Sequence, residues 1–250
     1  FPVLFQGTPT LKPERSVSAT LGLVIEPATD ASLAVDVFKI NLKDQINNGI
    51  TPSVILADDA SLAKYASLIT RGAVDPAFPT LPGQITQIDQ SNLNIGRIHI
   101  AGVDFDAKWR FNAGDIGRLT LAYSGTYFIT YDAQNPDGTY TTAISQVNGA
   151  TGGVVPRLKT YLSANLARGD WSGTLAYNWQ SSYYDLGNSP FFDLPIRRVG
   201  AYETVDAQLQ YTGLKNLTLT AGVRNLLNKA PPYTNAGGQT SFQSGYDPQY

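Results

Sequence analysis

The 250-residue sequence contains no cysteine and no methionine, and His99 is its only histidine. Without cysteine there can be no Cys–His nucleophilic pair, and a single histidine leaves little material for a zinc site. Only 15% of the residues are charged, and the net charge is -2. This balance gives no electrostatic support for nucleic-acid binding. The sequence therefore predicts no catalytic site, no metal site and no cofactor, and a protein that is not an enzyme.

No stretch of the sequence approaches the roughly 20 consecutive apolar residues that a membrane-spanning helix requires. No signal peptide is visible. The lack of any methionine, including a start methionine, suggests a segment cut from a longer chain, with removal of an initiator by processing as the alternative. Hydropathy therefore argues against a helical membrane protein. It does not test membrane-spanning strands, because about half of the residues in such strands are polar.

The clearest positive signal lies in residues 157–184, where apolar and polar residues alternate on both sides of a turn at Gly169-Asp170. Alternation with a period of two over this length predicts a β-hairpin with one apolar and one polar face. Such a hairpin suits strands that separate lipid from water, although the buried face of a soluble sandwich would look similar. The apolar positions are Leu158, Leu162, Leu166, Trp171, Leu175, Tyr177 and Trp179.

The same alternation recurs in about eight segments, and the connections between them fall into two classes that alternate strictly. Short turns at one rim and long loops at the other are typical of outer-membrane barrels. The polar faces also carry charges in mid-strand, for example Asp104, Asp106, Lys108 and Arg110, which a dry core would not accept without pairing. The turns are at 27–30, 112–115, 169–170 and 213–216, and the long loops, predicted to be extracellular, are at 47–91, 135–156, 187–198 and 230–250.

Three local features give further expectations. Residues 3–7 (VLFQG) look like a cleavage site used in expression, but the sequence runs on without a seam, so a native origin is favoured. A slip of the apolar phase near Val37-Phe38 predicts a β-bulge. Within the loop at 47–91, Asp58-Asp59 precedes an apolar stripe at helical spacing, which predicts a short capped helix that packs against the loop. The stripe comprises Leu62, Tyr65, Ala66 and Ile69.

Four motifs, in order along the chain, resemble those of the TonB-dependent outer-membrane receptors. Residues 7–16 (GTPTLKPERS) resemble a G-N-P-N-L-K-P-E-x-S signature, and residues 37–44 (VFKINLKD) resemble the strand that follows it. Residues 102–106 (GVDFD) are similar to a G-V-E-x-E strand, and residues 223–229 (VRNLLNK) to V-x-N-L-x-N/D-K near the end of the barrel. Each motif is weak alone, but together they cover nearly the whole chain.

The resemblance implies an all-β, antiparallel, up-and-down transmembrane β-barrel segment. It would supply about eight strands of a barrel of roughly 22, from the C-terminal third, without the plug and without the last strand. The implied function is to bind an external ligand such as a siderophore, vitamin or saccharide and to import it into the periplasm with TonB-coupled energy. This chain would form barrel wall and ligand vestibule. The implied partners are outer-membrane lipid, the remainder of the barrel, the ligand, and the TonB complex through the plug.

Two alternatives remain at this stage. One is a surface or secreted β-rich binding protein that does not transport. The other is a passive porin or a complete eight-stranded barrel, in which the first and last strands would pair with each other. A segment of a large barrel would instead have two free edges, at 16–25 and 217–223, because lipid offers no hydrogen-bond partners and only the whole barrel closes.

Two groups of side chains are candidate functional residues. Aromatic residues on the apolar faces near the strand ends are predicted to lie at the membrane interfaces. Aromatic and arginine residues on the long-loop side are predicted to contact the ligand, with ordinary loop packing as the alternative. The interface group is Trp109, Phe111, Tyr127, Tyr131, Trp171, Trp179 and Tyr183, and the ligand group is Tyr140, Tyr184, Phe191, Phe192, Arg197, Arg198 and Tyr233.

Overall fold

The computed structural model describes residues 1–135, 138–147, 153–185, 188–189, 192–193 and 197–234. These residues form strands together with two short helices, α1 (Pro52–Ile55) and α2 (Asp59–Lys64). The strands are β1 (Val3–Leu4), β2 (Arg15–Ala28), β3 (Ala31–Lys43), β4 (Ile46–Asn47), β5 (Ile69–Arg71), β6 (Ile85–Asp89), β7 (Leu93–Asn94), β8 (Arg97–Asn112), β9 (Arg118–Gln134), β10 (Tyr140–Thr142), β11 (Leu158–Arg168), β12 (Trp171–Gln180), β13 (Tyr183–Tyr184), β14 (Asn188–Ser189), β15 (Phe192–Asp193), β16 (Arg198–Val199), β17 (Tyr202–Leu214) and β18 (Leu217–Val223).

Eight long strands form one sheet in the order β2-β3-β8-β9-β11-β12-β17-β18, and β10 adds to β9. Long strands that follow each other along the chain are also hydrogen-bonded neighbours in the sheet. Both the short turns and the long loops therefore connect adjacent strands, which is an up-and-down arrangement. The eight predicted strands are therefore confirmed. The sheet is open, with β2 and β18 at its two ends. Since these strands do not pair with each other, the complete eight-stranded barrel is excluded.

The register confirms the alternation of the two faces. In the hairpin of β11 and β12, Leu162 lies opposite Tyr177 and Asn165 opposite Thr174, so apolar meets apolar and polar meets polar. Gly169 makes the turn with a φ of 55°, a left-handed conformation that glycine adopts without the steric cost of a side chain.

The apolar faces of the strands are exposed rather than packed in a core. Leu21 on β2 is 80% exposed and Leu175 on β12 is 57% exposed. Soluble monomers rarely expose a contiguous apolar surface of this extent. The exposed face therefore fits contact with lipid and does not fit a soluble sandwich.

The β-bulge predicted near Val37-Phe38 is wrong. Strand β3 is continuous, and its exposure alternates without a break from Leu33 to Lys39. Asp36 approaches Gly22, and the Phe38 ring lies against Gly102. Both side chains point to the polar face, so the composition of that face changes near the long-loop end while the backbone stays regular.

The chain divides into two compact units. The first comprises Phe1–Val17, Asn41–Ile98 and Gln134–Tyr140, and the second comprises Ser18–Ile40, His99–Ala133 and the described residues from Thr141 onward. The second unit holds most of the long-strand sheet. In the described part of the chain, no helix is long and apolar enough to cross a membrane.

The first unit is a folded excursion with its own small core. Strands β1, β6 and β5 form a three-stranded sheet, and Ile50, Ile55 and Ile88 are buried beside it. Because β1 pairs in parallel with β6, the N-terminal residues are an integral part of this unit.

The predicted capped helix is confirmed at its start but is shorter than expected. The Asp58 carboxylate accepts a hydrogen bond of 2.7 Å from the Ser61 backbone N–H, and this bond lowers the pKa of Asp58. Helix α2 ends at Lys64, and Ile69 already belongs to β5. Tyr65 and Ile69 pack against the buried isoleucines, but both follow the helix, and no residue of α2 itself is buried. The packing role predicted for the helix therefore belongs to the residues after it.

Candidate functional site

The polar face of the long-strand sheet carries a cavity of about 790 Å³. It lies on the side that would face the barrel interior, opposite the exposed apolar residues. Four aspartates, one lysine and one arginine surround it, so its charge is mixed with an acidic excess. The residues around it are Thr20, Asp36, Asp104, Asp106, Ser124, Gly125, Thr126, Lys159, Thr160, Tyr161, Asn178, Trp179, Gln180, Tyr202, Thr204, Asp206, Arg224 and Asn225.

Hydrogen bonds between neighbouring strands fix two of these aspartates. Thr126 Oγ1 donates to Asp104 at 2.6 Å across β9 and β8. Asn178 Nδ2 donates to one oxygen of Asp206 at 2.9 Å, and the backbone N–H of Asn225 donates to the other at 2.8 Å. Polar residues at alternate positions therefore form a hydrogen-bonded layer, and the same face can offer acceptors and cations to a hydrated solute.

Near the long-loop end this face becomes aromatic. Phe38 and Phe128 make an edge-to-face contact with ring centroids 6.2 Å apart. Gly102 is required beneath Phe38, because a Cβ there would stand 2.5 Å from the Phe38 ring and 2.8 Å from the carbonyl oxygen of Tyr127. This face is therefore amphipathic: it is aromatic near the long loops and polar nearer the short turns.

On the long-loop side, a buried carboxylate holds two distant segments together. Asp185, whose side chain is fully buried, accepts a hydrogen bond of 2.9 Å from Thr234 Oγ1 and pairs with Arg197 at 3.5 Å. Arg197 also donates to the carbonyl oxygen of Tyr233 at 2.9 Å and stacks over the Tyr233 ring at 4.6 Å. We call Asp185, Arg197, Tyr233 and Thr234 the Asp185 latch. It ties the segment after β18 to the loop before β16.

The structure separates the predicted ligand residues into different roles. Arg197 and Tyr233 contact each other within the Asp185 latch, and both side chains remain partly exposed; their contact with a ligand stays a prediction. Tyr184 lies opposite Arg198 in the pair of β13 and β16; Tyr184 is 54% exposed, and Arg198 donates two hydrogen bonds to Ser182.

The remaining three ligand candidates give less information. Tyr140 is exposed at the start of β10. Only the backbone of Phe192, within β15, is described. Phe191 lies outside the described residues. Tyr184 and Arg198 thus form an exposed pair of an aromatic ring and a cation, and ligand contact stays a prediction for every residue of this group.

One predicted interface aromatic is wrong. Tyr183 is 1% exposed and packs with Val199 and Tyr202, because the chain leaves the alternation of β12 before it reaches this residue. Burial raises the pKa of Tyr183. A side chain enclosed in this way does not face lipid.

The other interface aromatics lie on the long strands, and Trp179 also borders the polar-face cavity. At the short-turn ends, Trp109 contacts Phe111 at 5.2 Å and Trp171 contacts Tyr211 at 4.5 Å between ring centroids. At the long-loop ends, Tyr127 lies under the Arg157 guanidinium; Tyr131 and Trp179 are half-buried. Whether these residues meet the lipid interface stays a prediction.

Sequence reasoning missed Tyr211, Asp185 and Thr234. Tyr211 ends the apolar alternation of β17 beside a short turn, so the rule that selected Trp171 could have found it. Asp185 and Thr234 are 49 positions apart, and no local pattern signals that a carboxylate in one loop will meet a hydroxyl in another.

The sequence matches the family described as "TonB dependent receptor-like, beta-barrel" over residues 1–226. The chain belongs to this family, whose members are transport receptors of the Gram-negative outer membrane. A search of curated proteins gives no match.

Several solved structures have a fold similar to that of this chain. The siderophore receptor PirA of Acinetobacter baumannii is 17% identical with a TM-score of 0.59, over 90% of this chain and 29% of that one. The FrpB iron transporter of Neisseria meningitidis is 11% identical with a TM-score of 0.61, over 96% and 31%. A ferric enterobactin receptor variant of Pseudomonas aeruginosa, in complex with enterobactin, is 17% identical with a TM-score of 0.61, over 96% and 30%. The chain thus spans about three tenths of the length of these structures, and the likeness establishes the fold.

Proposed function

We propose that this chain forms the wall and the ligand vestibule of a TonB-dependent transporter that binds an external solute and imports it into the periplasm. The observation that carries the proposal is the division of one open sheet into two unlike faces. One face is apolar and exposed, as contact with lipid requires, and the other surrounds a polar cavity of about 790 Å³. Membership of the receptor family supports an energy-coupled transporter over a passive porin.

Transport by the full-length receptor tests this proposal. Cells that lack other receptors would express it, and uptake of radioactive iron as ferric enterobactin and as other ferric siderophores, and of copper ions, would be measured. We expect uptake of at least one probe to fall at least tenfold when TonB is deleted, because active import needs energy from the inner membrane. If the uptake of every transported probe continued unchanged without TonB, the result would favour a passive porin.

Tyr184 and Arg198 are proposed as ligand-contacting residues. An exposed aromatic ring beside a cation fits an anionic or aromatic solute. Replacing both, as Tyr184→Ala with Arg198→Gln, is expected to raise the half-saturating concentration of the transported probe about tenfold, equivalent to about 1.4 kcal/mol. Tyr127→Ala, on the outward face, is the matched control and should leave it unchanged. Equal values for the double variant and the control would exclude this pair as a ligand contact.

The orientation of the barrel gives a separate prediction. The sequence contains no cysteine, so a cysteine introduced at one position would be the only thiol that a maleimide could label in this segment. In intact cells, an impermeant maleimide is expected to label Ala63→Cys in α2 and to leave Lys215→Cys in the turn before β18 unlabelled until the outer membrane is opened. Labelling of Lys215→Cys from outside the intact cell would reverse the assigned orientation.

A further inference from the structure

Tyr184 and Arg198 belong to a small three-stranded element on the long-loop side, formed by residues 145–147, β13 and β16, which we call the Tyr184 platform. Strand β13 pairs with β16, and on its other edge Tyr184 pairs in parallel with Gln146. The Tyr184 N–H donates to the carbonyl of Ser145 at 2.7 Å, and the Tyr184 carbonyl accepts from the N–H of Val147 at 3.2 Å. Since both backbone groups of Tyr184 bond on that edge, Tyr184 and Arg198 face each other as a non-hydrogen-bonded pair, in which side chains lie closest.

The two faces of the Tyr184 platform differ. On its underside, Tyr183 and Val199 are buried together with Tyr202. Tyr202 also lines the polar cavity, so the platform borders that cavity. The opposite face presents the ring of Tyr184, which is 54% exposed. Because the buried underside fixes the backbone, the exposed face is already ordered before a solute arrives, which lowers the cost of binding.

Arg198 uses the edge of its guanidinium group that is suited to an oxyanion. Its Nε and Nη2 donate to the single hydroxyl oxygen of Ser182, at 2.9 and 2.7 Å. Two such parallel N–H groups match the two oxygens of a carboxylate. Within the described ranges, no carboxylate forms an ion pair with Arg198, and the nearby Asp185 is buried on the underside. The neutral hydroxyl of Ser182 therefore occupies a position suited to an anionic oxygen.

We propose that the exposed face of the Tyr184 platform binds a solute in which a carboxylate is attached to a planar ring, and that Ser182 competes internally for the Arg198 guanidinium. The carboxylate would displace Ser182, because both partners of the new hydrogen bonds would be charged and each carboxylate oxygen would receive its own N–H. The ring would lie against Tyr184 in an offset or edge contact. This inference rests on the proposed role of Tyr184 and Arg198 as ligand contacts and adds the chemical class that they select.

Fluorine NMR on the full-length receptor in detergent tests this site with two small probes. 4-Fluorobenzoate carries the ring and the carboxylate, and 4-fluorobenzamide has nearly the same shape without the charge. We expect the receptor to bind the benzoate about tenfold more tightly than the benzamide. Arg198→Gln and Ser182→Asp are each expected to weaken benzoate binding about fivefold, because the first removes the guanidinium and the second pairs it with a carboxylate of the receptor itself.

Matched variants separate this site from general attraction of anions. Arg157→Gln removes another exposed arginine that lies over a tyrosine ring, at 5.9 Å from Tyr127, and should leave benzoate binding unchanged. Ser182→Asn has the size of Ser182→Asp without its charge, so the loss in the aspartate variant should clearly exceed the loss in the asparagine variant. Heat-modifiable migration in gels would show that each variant is folded.

Two outcomes would overturn the proposal: benzoate binding no tighter than benzamide binding in the wild type, or wild-type benzoate binding in folded Ser182→Asp. The experiment involves neither transport nor TonB. A failed binding test therefore leaves the transport proposal standing, whereas a receptor that binds the benzoate but shows no TonB-dependent uptake contradicts transport alone.

Discussion

Gly117→Ala is expected to prevent correct pairing of β9 with β11 and to lower the yield of folded receptor more than any other single alanine substitution in the short turns. Gly117 has a φ of 122°, and a Cβ there would lie 2.3 Å from the carbonyl oxygen of Ala167. Backbone strain at such a residue alone costs about 1–3 kcal/mol. The clash adds to this cost because its partner is backbone that already pairs with the adjacent Arg118.

Gly114→Ala in the same turn is the matched control. Gly114 also has a positive φ, of 64°, but a Cβ there would meet no atom within 4 Å. Only the strain of the left-handed conformation, about 1–2 kcal/mol, should then appear. The heat-modifiable fraction after refolding of the full-length receptor, and the urea midpoint of unfolding, measure the difference. Equal losses in the two variants would show that strain alone, and not the approach to β11, makes Gly117 necessary.

The long strands and their two faces could be predicted from the sequence because they follow from local alternation. A side-chain period of two depends on the pleat of a single strand, so Leu162 and Tyr177 reveal their face without knowledge of their neighbours. The free edges at β2 and β18 were predictable for a different reason. Lipid cannot satisfy a strand edge, and the motifs indicated a barrel too large for eight strands to close.

The errors lie where local pattern and long-range contact disagree. Phe38 places an aromatic ring on the polar face, and Gly102 on another strand leaves room for that ring. From the sequence alone, an apolar residue at this position of the alternation predicts a bulge. Local alternation predicts that Tyr183 continues the outward face of β12, but its burial with Val199 and Tyr202 depends on the path of a later loop. The contacts of Arg197 with Asp185 and Tyr233 also carry no local signal in the sequence, and its contact with a ligand stays a prediction.

Asp185→Ala is expected to release the segment after β18 from the loop before β16. The substitution would leave Thr234 Oγ1 and the Arg197 guanidinium without the carboxylate to which they now bond. A hydrogen bond to a charged group contributes about 1.5–3 kcal/mol, and the substitution removes this contribution from the closed position of the segment. If the segment opens locally, amide hydrogen exchange in residues 225–234 should accelerate by about ten- to a hundredfold, since 1.4 kcal/mol corresponds to a factor of ten. Hydrogen-exchange mass spectrometry on the full-length receptor would measure this.

Arg197→Ala and Arg198→Ala distinguish the latch from general packing of the loop. Arg197 contacts Asp185 and Tyr233, whereas the next residue, Arg198, bonds to Ser182. The first variant should therefore accelerate exchange in residues 225–234 nearly as much as Asp185→Ala does, and the second should not. If Arg198→Ala accelerated exchange equally, the segment would be held by the loop as a whole. A ligand that recruited Arg197 would have to replace its contacts with Asp185 and Tyr233, whereas a ligand that recruited Arg198 would have to replace its two hydrogen bonds to Ser182.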